Sequence, residues 1–262
     1  MKGVVGGFVI IFLVHVFATG EPDLVDWRRP KKDLYNSSAI FYPFSSALGR
    51  PWLKWVREAP LTVEEVFDGW WGQYVAVSDL DGDGELELLV AQGRGFGEKP
   101  QRMLCLLVQT GEENWRFVLE KGERSQWASY NVADLDGDGK LEIVFGSGSR
   151  ILVVDGETGK LKAEFPLEDP MCLGVASLGP GEGPDILVGS YVDPKPYYRF
   201  DGETGQRLWM YPTYGSPYNV PAIADLDNDG FREILFHVHR YNPSRETQFC
   251  LSSRGQELWR FD

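Results

Sequence analysis

The chain has 262 residues and a formal net charge of −13. Its apolar fraction of 43% and charged fraction of 25% are ordinary for a globular protein, which excludes a disordered chain, a collagen and a multi-span membrane protein. A surface this acidic repels phosphate backbones and attracts cations, so we expect no nucleic-acid partner. The 30 glycines and many aromatic residues suit strands and turns better than helices.

The first residues have the features of a targeting signal. Lys2 is followed by an apolar run from Val4 to Ala18, which is shorter than the roughly 20 residues that a membrane-spanning helix needs. Val16 and Ala18 place small residues before a polar stretch. We therefore predict a signal peptide at residues 1–18, a mature chain without a membrane span, and a secreted location, extracellular or periplasmic. The alternative is an uncleaved N-terminal anchor.

An internal repeat organises the rest of the chain. The acidic sequence Asp79–Gly84 recurs at Asp134–Gly139 and at Asp225–Gly230. A second pattern of glycines, spaced by 48, 46 and 50 residues, consists of Gly111, Gly159, Gly205 and Gly255. Tryptophan follows three of these glycines after four residues, at Trp115, Trp209 and Trp259. Two independent patterns with one period indicate a repeat architecture.

Each repeat contains about four short apolar runs bounded by turn residues, which is typical of β-strands. In the second repeat the runs are Tyr130–Ala133, Leu141–Phe145, Ile151–Val154 and Leu161–Phe165. Helical periodicity is confined to one short candidate turn at Leu61–Phe67. Four antiparallel strands in roughly 45–50 residues form the blade of a β-propeller, so we predict an all-β propeller fold.

The repeat spacing predicts four blades and a partial one. The four lie at about 68–120, 125–168, 171–213 and 216–262, and residues 19–67 form an N-terminal segment with partial blade strands. Within that segment, Gly49–Val56 resembles the glycine-to-tryptophan run that closes later blades. Propellers typically have 4–8 blades. Three alternatives stay open: a closed ring of four or five blades, self-association that covers open blade edges, or a fragment of a longer propeller.

The three acidic loops have the ligand pattern of a calcium site. Carboxylates stand at positions 1, 3 and 5, glycine at position 6 permits a sharp turn, position 7 offers its backbone carbonyl, and an acid follows at position 9. The predicted ligands are Asp79, Asp81, Asp83, Glu85 and Glu87 in the first loop, Asp134, Asp136, Asp138, Lys140 and Glu142 in the second, and Asp225, Asp227, Asp229, Phe231 and Glu233 in the third. The position-7 residues Glu85, Lys140 and Phe231 contribute carbonyls.

Repulsion within these loops argues for a bound cation. Two carboxylates about 4 Å apart repel by roughly 4 kcal/mol at an effective dielectric near 20. We predict about three Ca²⁺ ions, with Mg²⁺ the weaker candidate because it keeps more of its waters. The third repeat has Gly179–Gly183 in place of the acids, so we predict no ion there. An EF-hand is excluded because position 12 lacks glutamate and strands flank the loops.

The repeats resemble the FG-GAP or VCBS-type repeats of integrin-α-like β-propellers over roughly residues 68–262. The resemblance implies that calcium rigidifies a hairpin within the blade and that the propeller is a recognition surface. The sequences at 155–159 and 201–205, both Asp-Gly-Glu-Thr-Gly, are also similar to quinoprotein (PQQ-type) propeller repeats. Those enzymes have more blades and an adjacent cysteine pair, so we expect no such cofactor here.

Two main classes of function follow, and a third alternative is a purely structural module within a larger assembly, which an incomplete ring would favour. The first is a secreted recognition module that binds an extracellular protein or glycan and uses calcium structurally. The alternative is an extracellular polysaccharide lyase or hydrolase, or an accessory module of one. We predict no catalytic residues, because the clustered acids are assigned to calcium and no nucleophile elbow, P-loop or dinucleotide fingerprint is present.

Several other side chains have both a structural and a functional interpretation. Three cysteines do not indicate a disulfide framework, and we expect them to be buried, with one disulfide and a free thiol as the alternative. These are Cys105, Cys172 and Cys250. His237 and His239 face one way on a strand; we expect a solvated pair, and a transition-metal site is the alternative. Core packing is expected, and sugar stacking is the alternative, for Trp70–Trp71 and Tyr197–Tyr198. Tyr211–Tyr218 is a candidate ligand-contact loop.

Overall fold

The computed structural model describes residues 9–10, 57–58, 75–92, 101–119, 130–217, 219–241 and 244–261. The two short strands β1 (Val9–Ile10) and β2 (Arg57–Glu58) pair with each other. Apart from these strands, the predicted signal peptide and the segment 19–67 lie outside the described residues, as do Leu61–Phe67 and Trp70–Trp71. Within the described part, no helix has the length and apolar character to cross a membrane.

Antiparallel strands build four consecutive sheets, here called sheets I to IV. Sheet I consists of β3 (Val75–Ser78), β4 (Glu87–Gln92), β5 (Gln101–Leu107) and β6 (Glu113–Leu119). Sheet II consists of β7 (Asn131–Ala133), β8 (Glu142–Ser147), β9 (Arg150–Asp155) and β10 (Leu161–Pro166). Strands adjacent in sequence pair in each sheet, so both are simple meanders.

Sheets III and IV repeat this order. Sheet III consists of β11 (Pro170–Ala176), β12 (Asp185–Ser190), β13 (Pro196–Asp201) and β14 (Arg207–Pro212). Sheet IV consists of β15 (Ser216–Pro217), β16 (Ala222–Ala224), β17 (Glu233–Tyr241), β18 (Ser244–Leu251) and β19 (Glu257–Phe261). Its first strand is divided, because β15 and β16 both pair with β17. The all-β fold with four-stranded blades is confirmed.

The hydrophobic core lies between neighbouring sheets. Side chains alternate across each strand, so every sheet has an apolar layer on both faces. One cluster joins sheets I and II through residues such as Met103 and Phe145, and a second joins sheets II and III through Val144 and Ile186. A third cluster joins sheets III and IV, where Tyr197 stacks on Phe236 with ring centroids 4.4 Å apart. The sheets therefore pack face to face, as propeller blades do.

The repeated glycines position each sheet against the next. They stand in the turn before the last strand of a sheet, and in sheets II, III and IV an aromatic ring of the preceding sheet contacts the glycine. Gly159 receives Trp115, and its φ of +67° is one that residues with a Cβ rarely adopt. The same contact pairs Gly205 with Phe165, and Gly255 with Trp209. The repeated glycines and the aromatic residues that follow them thus form one type of contact, which is made once at each of the three interfaces.

In sheet IV, the face that corresponds to the buried faces of the preceding sheets is exposed to solvent. Leu80 is 1% exposed where sheet II covers it, whereas its counterpart Leu226 is 51% exposed. Trp115 is 8% exposed and its counterpart Trp259 is 44% exposed, next to Phe261 at 71%. Among the described residues, no hydrophobic cluster joins sheet IV to sheet I. The row of blades is therefore open at this face.

The structure tests the predicted burial of two cysteines and of the Tyr197–Tyr198 pair. Cys105 and Cys250 are buried free thiols, as expected for small apolar core residues. Tyr197 is fully buried and Tyr198 packs at the edge of the cluster between sheets II and III. Both tyrosines therefore contribute to blade packing, and neither is a free platform for sugar stacking.

Candidate metal sites in the acidic loops

Each acidic loop connects the first and second strands of its sheet, and the first two loops have the same internal hydrogen bonds. The two oxygens of Asp79 accept the amides of Gly82 and Gly84 at 2.8 and 3.0 Å. Asp134 accepts the two equivalent glycine amides of the second loop at the same distances. Gly84 has a φ of +91°, which only glycine adopts without strain, and this turn folds the carboxylates inward.

The loops bring together three groups of carboxylates whose oxygens lie within 4.8 Å of one another. The groups are Asp79, Asp81 and Glu87 in sheet I, Asp134, Asp136 and Glu142 in sheet II, and Asp225, Asp227 and Asp229 in sheet IV. These groups omit Asp83, Asp138 and Glu233. Asp83 instead accepts the amide of Glu85 at 2.7 Å. The carbonyl ligands at position 7 stay predictions.

The position-9 glutamate is fixed by its own loop. The Oε2 atom of Glu87 accepts the amide of Leu80 at 2.7 Å. Glu142 and Glu233 make the same bond to Leu135 and Leu226, at 2.9 and 2.8 Å. One oxygen of each carboxylate therefore accepts a backbone hydrogen bond. The contacts of the other oxygen, Oε1, determine whether the loop can bind a cation there.

In the first loop, the Oε1 atom of Glu87 is buried and has no hydrogen-bond partner. Burial, reinforced by the charges of Asp81 and Asp79, raises the pKa of Glu87 to about 7. A buried carboxylate oxygen without a partner is costly, and a cation offsets that cost. The surrounding donors are all oxygens, which Ca²⁺ and Mg²⁺ prefer. These residues fit a hard divalent cation.

In the second loop, a lysine ammonium lies among the carboxylates. The Nζ atom of Lys162 lies 2.8 Å from Asp136 Oδ2, 2.7 Å from Glu142 Oε1 and 3.7 Å from Asp138 Oδ2. The hydrogen bond from Lys162 lowers the pKa of Asp136, whereas burial and neighbouring carboxylates raise the pKa of its counterpart Asp81. Sequence analysis missed Lys162, which is 20 residues from Glu142.

The third repeat has an arginine at the corresponding place. Asp185 occupies the position-9 site, opposite Ala176 on the first strand of sheet III. Arg199 Nη2 lies 2.6 Å from Asp185 and 2.8 Å from Glu182, and Arg199 Nη1 donates to the carbonyl of Ser253 in sheet IV at 2.8 Å. Although this repeat lacks the acidic motif, it keeps one buried carboxylate, paired with a guanidinium. The sequence feature that marks this buried carboxylate is the position of Asp185 at the start of an apolar run.

Two other sequence candidates are now located. His237 and His239 share a face of β17, and both contact the carboxylate of Glu246 on β18. These histidine contacts lower the pKa of Glu246. In the candidate ligand-contact loop, Thr213 is buried and bonds to the carbonyl of Lys195, whereas Tyr214 is largely exposed. Neither place is among the groups of the described residues whose potential ligand atoms all lie within 4.8 Å of one another.

Comparison with known proteins supports the repeat and the fold. Residues 79–145 match the family described as an FG-GAP-like repeat, which confirms the resemblance over the first two acidic loops. Rhamnogalacturonan lyase YesW is similar with a TM-score of 0.54 and 20% identity, over 79% of this chain and 35% of that one. Quinohemoprotein alcohol dehydrogenase from Comamonas testosteroni is similar with a TM-score of 0.52 and 14% identity, over 81% and 38%. No curated protein sequence matches the chain.

These likenesses concern the fold. The chain spans 35% and 38% of the two structures, and its identity to them is low. The quinohemoprotein confirms the secondary similarity to quinoprotein propellers as one of blade architecture. What this chain binds has to be argued from its own residues.

Proposed function

We propose that this chain is a secreted calcium-binding β-propeller module that recognises an extracellular protein or glycan, with calcium as a structural ion. The observation that supports the proposal is the buried Oε1 atom of Glu87, which has no hydrogen-bond partner and lies within the carboxylate group of the first loop. A bound cation gives that oxygen a ligand bond and neutralises the repulsion from Asp79 and Asp81.

Calcium is favoured over magnesium by the shape of the loops. Ca²⁺ accepts six to eight oxygen ligands in flexible geometry. The first hairpin brings together carboxylates from three residues, and the position-7 carbonyl is a further predicted ligand. Mg²⁺ requires a stricter octahedron and retains more waters. When bound, the ion supplies charge neutralisation, while Asp79, Asp81 and Glu87 hold the hairpin between β3 and β4.

A structural ion leaves recognition to the exposed surface. The carboxylate groups lie in hairpins, whereas the open face of sheet IV presents Leu226, Trp259 and Phe261. This face has the composition that packs against another sheet at the three internal interfaces. We propose that a second copy of the chain covers it, because exposed apolar side chains of this kind are buried against a neighbouring sheet at the internal interfaces.

A calcium titration of chelator-stripped protein by calorimetry, with melting temperatures in calcium and in chelator, tests the proposal. We expect binding and a calcium-dependent rise in melting temperature. Glu87→Gln should remove one tight ion and should not lower the melting temperature in chelator, because the amide carries no charge. Glu112→Gln, at an exposed turn of the same sheet, is the matched control. No calcium binding, or unchanged stoichiometry and affinity in Glu87→Gln, would show the proposal to be wrong.

Recognition and secretion need separate measurements. The calcium-loaded protein is applied to an array of extracellular polysaccharides, and the chelator-treated protein serves as the comparison. We expect binding that chelation weakens by loosening the fold. Cleavage of any polysaccharide would instead support the enzyme alternative. The mass of the exported protein shows whether the chain is cut after about Ala18.

A further inference from the structure

The position-9 carboxylate meets a different partner in each of the first three repeats. Glu87 Oε1 has none, Glu142 Oε1 lies 2.7 Å from the ammonium of Lys162, and Asp185 lies 2.6 Å from the guanidinium of Arg199. The backbone around Glu87 and Glu142 is the same, since both accept the position-2 amide through Oε2. The side chain that approaches the loop therefore makes the difference between these two sites.

Lys162 reaches the second loop from a β-bulge. The pairing of β10 with β9 shifts between Leu161 and Ala163, which leaves Lys162 as the extra residue on β10. A bulge re-aims the side chain of its extra residue. In sheet I, the same shift occurs between Glu113 and Trp115, so Asn114 is the counterpart of Lys162. The bulge is shared by the two sheets, whereas the positive charge is present only in sheet II.

We infer that Lys162 is a built-in competitor for the metal ion at the second loop, and that the acidic loops therefore differ in calcium affinity. This inference rests on the proposed calcium-binding function. The ammonium contacts Asp136 and Glu142, which are two of the three carboxylates that the ion would use. Calcium can take both oxygens only after Lys162 withdraws. Among the residues that the structure describes, none brings a cation to the first loop, so calcium binds there without displacing one of them.

The same contact makes the second loop less dependent on calcium. In the folded chain without calcium, Lys162 neutralises part of the carboxylate charge of the second loop. In the described part of the chain no cation contacts Glu87, so calcium removal should loosen the first hairpin more than the second. The two neighbouring blades would then respond differently to a fall in calcium, although their loop sequences are almost identical.

The test compares Lys162→Met with Lys160→Met by calorimetric calcium titration. Both variants lose one positive charge from the same end of sheet II, but Lys160 is absent from the carboxylate contacts. We expect the wild type to have a weak site that Lys162→Met tightens by about tenfold or more, because removing a unit charge in direct contact strongly favours the ion. Lys160→Met should change that affinity by less than about threefold, as expected for a solvated charge.

A reciprocal variant places the lysine in the other blade. Asn114→Lys should weaken the tightest calcium site by about tenfold, since the bulge of β6 would aim the ammonium at the first loop. Melting temperatures give an independent measure. In chelator, Lys162→Met should melt below the wild type, and saturating calcium should remove this difference in melting temperature. Circular dichroism checks that each variant is folded.

The outcomes separate the inference from the function on which it rests. If the wild type binds calcium, Glu87→Gln removes an ion, and Lys162→Met leaves every affinity unchanged, the inference is wrong and the proposed function stands. If the wild type has equal sites, the inference is wrong as well. If neither the wild type nor Lys162→Met binds calcium, both are wrong.

Discussion

The indole N–H of Trp115 donates a hydrogen bond to the carbonyl oxygen of Gly156, in the turn of the following sheet, at 2.9 Å. The ring lies on Gly159 in the same turn, where a Cβ atom would stand 2.5 Å from the ring atom Cδ2. One tryptophan therefore combines a directed hydrogen bond with a contact that requires glycine. The repeat Asp-Gly-Glu-Thr-Gly is thus a structural device for holding two blades together.

Gly159→Ala should destabilise the protein more than a glycine substitution of similar backbone strain. The left-handed conformation costs about 1–2 kcal/mol for a residue with a Cβ. Displacing the Trp115 ring adds about 1–3 kcal/mol of overpacking. Gly148→Ala is the control, because Gly148 also has a positive φ of +54° and nothing within 4 Å of an added Cβ. Urea unfolding should show the difference. Equal losses would mean that ring packing contributes nothing.

Arg199→Met should strongly destabilise sheet III. It leaves the buried carboxylate of Asp185 without its cation, and breaking a buried ion pair typically costs about 3–5 kcal/mol. The double variant Asp185→Asn with Arg199→Met should recover much of the loss, because no buried charge remains. Free energies of unfolding from denaturant titration provide the measurement. An equally unstable double variant would show that the aliphatic stem and the bond to Ser253 matter more than the charge.

Leu80→Ala and Leu226→Ala provide a matched pair at one position of two repeats. Leu80 is packed between sheets I and II, and truncating a buried leucine costs about 2–5 kcal/mol. Leu226 is half exposed, so its truncation should cost no more than about 0.5 kcal/mol. Chemical unfolding of both variants at low protein concentration tests this. A large loss in Leu226→Ala would mean that this face is covered in solution.

The open face of sheet IV should govern self-association. Trp259→Ser combined with Phe261→Ser removes the two largest exposed aromatics of β19. We expect this variant to sediment as a monomer at concentrations where the wild type forms a dimer. Substituting the exposed Tyr214 by serine serves as a control outside β19. A wild type that stays monomeric at high micromolar concentration contradicts the proposed second copy.

The repeat pattern was sufficient to predict the blades because strand, turn and interface signals all recur with one period. The four runs chosen in the second repeat agree with β7 to β10 within two residues at each end. The positions of Asp79 and Asp81 were also predictable, since a local turn brings them together. Lys162 and Arg199 were not, because each reaches its carboxylate from another strand. A bulge and a strand register, both set by tertiary pairing, determine where they point.

Confinement of the core to pairs of neighbouring sheets has an evolutionary consequence. Each interface combines an apolar layer with an aromatic ring that packs on a glycine. A unit copied into the row can therefore form the same contacts with the sheets on both sides. A gene that gains or loses one unit by unequal recombination therefore retains compatible junctions. The candidate metal sites differ in this respect, because each depends on the side chains of its own blade. A copied unit can gain or lose the competing lysine through a single codon at the bulge.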